Sequence, residues 1–144
     1  MDTFWLKVVG GGLRGAPIPN DWRSWANGLM ERASITTRRP SMKAGDGIVY
    51  YAAGTGLIFA AGEIVSHPYE RPESREDANW PWRVDISLDP TATKQFVHEG
   101  IRLKAIGVDP KSIRQKGHIR ITKRQYDRAL QALRNQTVPA AMRS

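Results

Sequence analysis

The segment from residue 48 to residue 65 constrains the fold more than any other part of the chain. Residues 48–53 read IVYYAA, a run rich in β-branched and aromatic side chains, and the next three residues read GTG. Glycines in so short a connection let a chain reverse its direction, so residues 57–65 are predicted to return beside residues 48–53 as a β-hairpin. A sheet is therefore predicted at the centre of the chain.

Other segments also have the composition or the alternation of strands, namely residues 4–9, 80–88, 101–104 and 117–121. In the second of these, apolar and polar side chains alternate, so that Trp80, Trp82 and Val84 share one face. Pro81 lies near the start of this strand, which predicts an edge or rim position because proline donates no backbone hydrogen bond.

Two helices are predicted beside the strands. Residues 22–33 carry apolar side chains at helical spacing behind a cap at Asn20 or Asp21, and Thr122 and Gln125 have the spacing of a capping box that opens a second helix. Polar loops are predicted at residues 34–40 and 68–79. The predicted fold class is α+β, a small barrel of five or six strands flanked by two or more helices.

The length and composition limit the class of protein. A chain of 144 residues is predicted to be a single domain over residues 1–144, with its core in residues 3–134 and a flexible tail in residues 135–144. The absence of cysteine excludes disulfides, thiolate zinc sites and cysteine nucleophiles. No segment has the length of a membrane span and the first residues do not resemble a secretory signal, so a soluble, cytoplasmic protein is expected.

Positive charge is concentrated toward the C-terminal end. The net charge is +8, and residues 91–144 hold 12 Lys and Arg against 3 Asp and Glu. Clustered cations favour a polyanion such as nucleic acid, because each neutralised phosphate releases counterions, although a basic surface also serves solubility alone. The cations expected to contact phosphates are Arg39, Lys43, Arg114, Lys116, Arg120, Lys123 and Arg124.

No motif in the sequence requires an enzyme. The three histidines lie in separate segments without metal-ligand spacing, and the glycines after the first predicted strand lack the pattern of a phosphate-binding loop. Glu63 and Asp85 are carboxylates without a recognisable partner, and such carboxylates are usually solvated surface groups. No catalytic residue, metal or cofactor is therefore expected.

Trp80 and Trp82 have two interpretations. Two tryptophans on one face at the start of a strand can form the wall of a pocket near a barrel rim, where an unpaired or flipped base would gain roughly 1–3 kcal/mol by stacking. Either side chain can instead fill the core, which is the commoner role of a tryptophan. Trp5, Tyr50 and Tyr51 have the same two interpretations.

Taken in order, the segments FWLKV, MKAGDGIVYYAAGTGLIFAAGEIVSHPY, WPWRVDISL and RQKGHIRITKRQYDRALQAL resemble an EVE domain of the PUA-like superfamily. The resemblance covers residues 3–134. Its most specific part is an ordered set of four motifs: K-x-G-D at 43–46, an aromatic strand ending at Tyr51, G-x-I-V at 62–65 and aromatic-x-Val at 82–84.

The resemblance implies a PUA-like β-barrel flanked by helices, similar to YTH modules, and a role in reading modified bases of DNA or RNA through an aromatic pocket. Carried onto this chain, the residues implied for the base pocket are Trp5, Thr36, Thr37, Arg38, Tyr51, Trp80 and Trp82. Many members have an Asn- and Arg-rich loop similar to RNYQARN before the Gly-Asp turn, whereas residues 33–39 here read ASITTRR. The amides that would read a base edge are missing from that loop.

Three hypotheses remain for the function. The first is a non-catalytic module that binds nucleic acid, DNA or RNA, and reads a modified or flipped base. The second is a protein-interaction module with a basic face, and the third is a small nucleoside-directed hydrolase that uses Lys43 or Glu63 in the same pocket. The sequence leaves open whether an effector protein supplies an activity, and no membrane partner is expected.

Overall fold

The structure, a computed structural model, describes residues 3–10, 17–24, 32–36, 38–70, 81–113 and 117–135. The strands in these residues are β1 (Phe4–Val9), β2 (Ala33–Thr36), β3 (Gly47–Ala52), β4 (Leu57–Ile64), β5 (Tyr69–Glu70), β6 (Trp82–Leu88), β7 (Ile101–Arg102) and β8 (His118–Ile121). The α-helix α1 spans Lys123–Asn135. Short 3-10 turns span Trp22–Ser24, Pro90–Ala92, Val97–Glu99, Leu103–Ile106 and Pro110–Ile113.

The strands form a mixed sheet in the order β2-β6-β4-β3-β1-β8, with β5 beside β6 and β7 beside β4. The predicted hairpin is confirmed as β3 and β4, and Gly54 and Gly56 in its turn have φ of 80° and 79°, values that favour glycine. Strand β1 pairs in parallel with β3 on one side and antiparallel with β8 on the other. The sheet curls into a half-barrel, which confirms the predicted α+β class.

The capping box at the start of α1 is also confirmed. The Gln125 backbone N–H donates to Thr122 Oγ1 at 3.0 Å, and the Thr122 N–H donates to Gln125 Oε1 at 2.9 Å. Tyr126 in the first turn of the helix donates its hydroxyl to the Gly62 carbonyl at 2.7 Å. The cap and this bond fix the helix against β4.

Two predicted elements differ in the structure, and a third is described only at its ends. Residues 34–40 were expected to be loop, but residues 33–36 form β2, because their backbone pairs with β6. The predicted helix of residues 22–33 starts with a 3-10 turn at Trp22–Ser24, Arg32 is helical and Ala33 begins β2, while residues 25–31 lie outside the described residues. The strand predicted at residues 101–104 is two residues long and continues as a 3-10 turn.

The predicted tail of residues 135–144 lies outside the described residues, except for Asn135, which ends α1.

Strands β1 and β3 separate two clusters of buried side chains. On one side, here called the helix face, Phe4 and Leu6 pack with Tyr126 and Leu133 of α1. On the other, here called the tryptophan face, Trp5 lies in a buried cluster that includes Trp22, Ile48, Tyr50, Phe59, Val84 and Ile86. The alternation of side chains along β1 therefore assigns Trp5 and its neighbours Phe4 and Leu6 to opposite faces.

Candidate functional site

Trp5 is held in place by Asp46. The side chain of Trp5 is 6% exposed and its Nε1–H donates to Asp46 Oδ2 at 2.9 Å, while the Lys43 backbone N–H donates to the same oxygen at 3.1 Å. Asp46 is 2% exposed, and its Oδ2 accepts both of these hydrogen bonds inside the protein. The K-x-G-D motif is thus a turn whose acid fixes the orientation of an indole on the tryptophan face.

Two titratable side chains lie beside Trp5 on the same face. His118 of β8 meets the Trp5 ring edge to face, with 5.5 Å between ring centroids. Burial lowers the pKa of Lys7 to about 8, and the amine donates to the carbonyls of Val8 and Gly117 at 3.1 and 3.4 Å. The pKa of His118 is also lowered, first by burial and then by the positive charge of Lys7.

Trp82 begins β6 directly opposite Thr36 of β2. Its side chain is half-buried, and the Arg39 guanidinium lies 5.6 Å from the centroid of its ring. The Thr36 hydroxyl, in contrast, is occupied, because it donates to the Arg38 carbonyl at 2.6 Å. The structure therefore brings Thr36, Arg39 and Trp82 together.

The strand register places Trp82 on the same face and at the same end of the sheet as Trp5. Val84 and Ile86 belong to the tryptophan face, so Trp82, which precedes them at alternate positions, shares that face. Across the sheet, Trp5 of β1 pairs with Ile48 of β3, and through β4 this row of paired residues ends at Leu88 of β6. Trp82 precedes Leu88 on β6 and therefore lies beyond the row, toward the end of the sheet where β3 begins. The Trp5 indole also reaches toward that end, since it bonds to Asp46.

Tyr51 is not part of this arrangement. It packs against the helix-face cluster, on the side of β3 opposite to Tyr50. The reason is the two-residue period of a strand, which sends neighbouring side chains to opposite faces. Tyr50, not Tyr51, shares a face with Trp5, but it is 1% exposed and offers no open ring surface.

The predicted basic residues are spread over two areas. Arg38, Arg39 and Lys43 are exposed near Trp82 and the Asp46 turn, and Arg120, Lys123 and Arg124 are exposed on β8 and at the start of α1. Thr37, Trp80, Arg114 and Lys116 lie outside the described residues.

A depression of about 490 Å³ lies beside β8, the strand that ends the described sheet. Trp5, His118 and Arg120 line one part of it, and Asp109 and Gln125 line another. Arg120 pairs with Trp5 in the strand register, and both residues line this depression. In contrast, Lys123 already has a partner, since its amine lies 2.6 Å from Asp127.

The polar groups around Trp5 were only partly predicted from the sequence. Lys7 and His118 were not identified as site residues, and Asp46 was identified only as part of a turn motif. The signal present in the sequence was a lysine inside an apolar strand, at a position that alternation would place on the same face as Trp5. The partner position on β8 depends on a pairing between residues more than 110 positions apart.

The geometry of the described residues gives little indication of a catalytic site. Lys43 and Glu63, the groups that a hydrolase would use in this pocket, are both exposed. The described ranges hold no group of three histidine, aspartate or glutamate side chains placed to bind a metal ion. Within the same ranges, no helix has both the length and the apolar character needed to cross a membrane.

The family is established by a match over most of the chain. The EVE domain family model matches residues 22–132, which include the Asp46 turn, the β3–β4 hairpin, β6 and most of α1. The chain belongs to the EVE domain family. No curated protein sequence matches this EVE domain.

Solved structures show the same fold at low sequence identity. A hypothetical protein from Leishmania major has a TM-score of 0.55 and 16% identity, covering 93% of this EVE chain and 96% of its own. An NMR structure from Rhodopseudomonas palustris has a TM-score of 0.53 and 16% identity, covering 95% and 96%. Human THYN1, solved in complex with DNA that contains 5-methylcytosine, has a TM-score of 0.50 and 13% identity, covering 91% and 97%.

Proposed function

We propose that this EVE domain is a non-catalytic nucleic-acid-binding module that reads a modified or flipped base on its tryptophan face. The observation that carries the proposal is the placement of Trp5 and Trp82 on one face and at one end of the sheet, beside the exposed cations Arg39 and Lys43. Stacking surfaces next to cations are the combination that binds unpaired nucleotides. The EVE family and the complex of human THYN1 with methylated DNA support this class of ligand.

The two tryptophans would have different roles. Trp5 is buried and bonded to Asp46, so it forms a fixed wall, whereas the half-buried Trp82 offers ring surface to a ligand. A base that stacks on the ring face covered by Arg39 must displace the guanidinium, which is then free to pair with a flanking phosphate. Binding of the base and neutralisation of the phosphate would then be one coupled step.

A modification on the base would be recognised by exclusion of water. A methyl group gains about 0.8 kcal/mol when it moves from water into an apolar site, and it gains more discrimination if the unmodified base leaves a gap. The Thr36 hydroxyl donates to a backbone carbonyl, so its remaining lone pairs can accept a hydrogen bond from a base edge. Phosphates on either side would contact Arg39, Lys43 and Arg120, with Lys123 and Arg124 farther out.

The test is a fluorescence-polarisation titration of short single-stranded and duplex DNA and RNA, with and without base modifications, at two salt concentrations. Trp82→Ala is expected to remove the preference for the modified base, since the stacking surface is lost. Trp82→Phe is expected to retain part of it. Lys43→Gln, the matched charge variant, is expected to weaken every oligonucleotide alike and to reduce the salt dependence.

Equal losses for all oligonucleotides in Trp82→Ala and Lys43→Gln would contradict the pocket and leave only a basic surface. Absence of binding to any oligonucleotide, with Trp82→Ala unfolded, would indicate the protein-interaction hypothesis instead. Release of product from a bound modified nucleoside would contradict the non-catalytic part of the proposal.

A further inference from the structure

A second depression lies on the helix face, at the turn between β3 and β4. Its volume is about 330 Å³, and it is lined by Tyr51 and Leu57 of the hairpin and by Arg102, Leu103 and Lys104. Leu57 also packs against the tryptophan-face cluster, but neither Trp5 nor Trp82 lines the depression. A pocket of this size lies at the lower end of the range for small-molecule sites, about 300–1,000 Å³.

The local fold turns two cations outward at this depression. Strand β7 pairs with the start of β4, with Arg102 opposite Leu57. Ile101 and Leu103 are 4% and 3% exposed, whereas Arg102 and Lys104 between and after them are exposed. Burial of the two apolar side chains therefore anchors the backbone and presents the two cations side by side to solvent.

Neither cation is neutralised by a described residue. Arg134 and Lys123 on α1 form ion pairs with Asp89 and Asp127, but no acid in the described ranges contacts Arg102 or Lys104. Glu99 and Asp109 are the acids nearest to them in sequence, and both accept other donors: Glu99 Oε1 accepts the Phe96 backbone N–H at 3.1 Å and Asp109 Oδ1 accepts the Lys111 backbone N–H at 3.0 Å. The depression thus has two uncompensated positive charges at its rim.

The remaining walls supply an apolar surface and hydroxyl groups. Leu57, Leu103 and the ring of Tyr51 form the apolar part. The Tyr51 hydroxyl lies over Gly56, where an added Cβ would come within 3.5 Å of it, and burial raises the pKa of Tyr51, so the hydroxyl stays a donor at neutral pH. The exposed Thr55 adds a second hydroxyl.

We propose that this depression binds a phosphate monoester attached to a flat or apolar group. The phosphate would lie between Arg102 and Lys104, where a guanidinium gives bidentate contacts and an ammonium gives a point charge, and the attached group would cover Tyr51 and the two leucines. A free mononucleotide and the 5′-phosphorylated end of a nucleic-acid strand share this chemistry. The site does not depend on the proposed function, because it lies on the opposite face of β3 from Trp5.

Isothermal titration calorimetry of the full chain with adenosine monophosphate, adenosine and inorganic phosphate tests the proposal. We expect the monophosphate to bind more tightly than inorganic phosphate and adenosine not to bind measurably. Arg102→Gln is expected to weaken the monophosphate at least tenfold and Lys104→Gln severalfold. Arg128→Gln removes an equal charge from the exposed side of α1 and should change the affinity less than twofold.

Two oligonucleotides that differ only in a 5′-phosphate distinguish the sources of the ligand. Tighter binding of the phosphorylated strand than of the monophosphate, lost in Arg102→Gln, would identify a strand end, and the reverse order would identify a free nucleotide. Trp82→Ala should leave monophosphate binding unchanged, so failure of the tryptophan-face proposal would not affect this one. Equal binding of adenosine and its monophosphate, an equal loss in Arg128→Gln, or equal competition by an acidic peptide would each overturn the proposal.

Discussion

The helix face and the tryptophan face bury different kinds of groups, although both are built on β1 and β3. The helix face is mainly aliphatic, and the buried hydroxyl of Tyr126 on that side donates to a carbonyl. The tryptophan face includes Asp46, Lys7 and His118, and Tyr50 Oη has no hydrogen-bond partner among the described residues. Burying a polar group reduces stability unless hydrogen bonds compensate, and side chains with perturbed pKa values are common where a protein binds a ligand.

The two faces of the sheet therefore have different roles. Both faces bury apolar side chains that stabilise the fold, and the tryptophan face in addition holds the charged side chains of Asp46 and Lys7. Substitutions of matched residues on the two faces should therefore have different effects on stability.

Asp46 provides the largest expected effect on the tryptophan face. Asp46→Ala leaves the Trp5 indole N–H and the Lys43 backbone N–H without their acceptor, and we expect a loss of about 2–3 kcal/mol in the free energy of unfolding. Asp46→Asn retains one acceptor oxygen and should lose about 1 kcal/mol. Urea unfolding followed by tryptophan fluorescence measures both, and a loss below 0.5 kcal/mol for Asp46→Ala, within the roughly ±0.5 kcal/mol of ordinary surface changes, would contradict the anchoring role.

Removing the hydroxyl of a buried tyrosine should affect stability differently on the two faces, with Tyr126 on the helix face and Tyr50 on the tryptophan face. Tyr126→Phe removes the bond to the Gly62 carbonyl and should cost about 1–2 kcal/mol. Tyr50→Phe removes a hydroxyl that has no partner among the described residues, so stability should stay the same or rise by up to about 1 kcal/mol. Equal losses in the two variants, measured by thermal or urea unfolding, would show that Tyr50 is hydrogen-bonded in solution and that the faces do not differ in this respect.

Lys7 provides a smaller effect that depends on pH. Its pKa is lowered from 10.5 in the unfolded chain to about 8 in the fold, so between these values the unfolded state binds more protons and stability rises with pH. We expect a gain of about 1 kcal/mol between pH 8 and pH 9.

Lys7→Met should abolish that gain, whereas the exposed Lys123→Met should retain it. Urea unfolding at the two pH values measures the difference. If the free energy of unfolding rises by the same amount in Lys7→Met, another group releases the proton. Burial of the Lys7 ammonium would then not reduce the stability of the fold.

The sequence predicted the elements that depend on local patterns. The hairpin of β3 and β4 follows from its glycines and β-branched residues, the start of α1 follows from Thr122 and Gln125, and the fold class follows from their order. Strand β2 was missed because its four residues lead into the basic residues Arg38 and Arg39, although Ile35 and Thr36 are β-branched and so favour a strand. Its pairing with β6 joins residues about 50 positions apart, which no local pattern reveals.

The candidate site was predicted only in part, for the same physical reason. Trp5, Tyr51 and Trp82 are all predicted for the pocket; the structure places Trp5 and Trp82 on one face, whereas Tyr51 packs against the helix-face cluster. Lys7 and His118 come together through the pairing of β1 with β8. Side chains that meet through such pairings can be predicted only after the sheet order is known.

The order in which the chain is synthesised has a consequence for the pairing of β1. Strand β1 is made before the other described strands, yet its two neighbours in the sheet are β3, more than 40 residues later, and β8, more than 110 residues later. In a nascent chain one hydrogen-bonding edge of β1 therefore stays open until β3 has left the ribosome, and the other stays open until nearly all the described residues have done so. Pairings at such separations form slowly. Lys7, inside that strand, gives β1 a positive charge before its pairing partners are available, and the charge opposes association with other nascent chains.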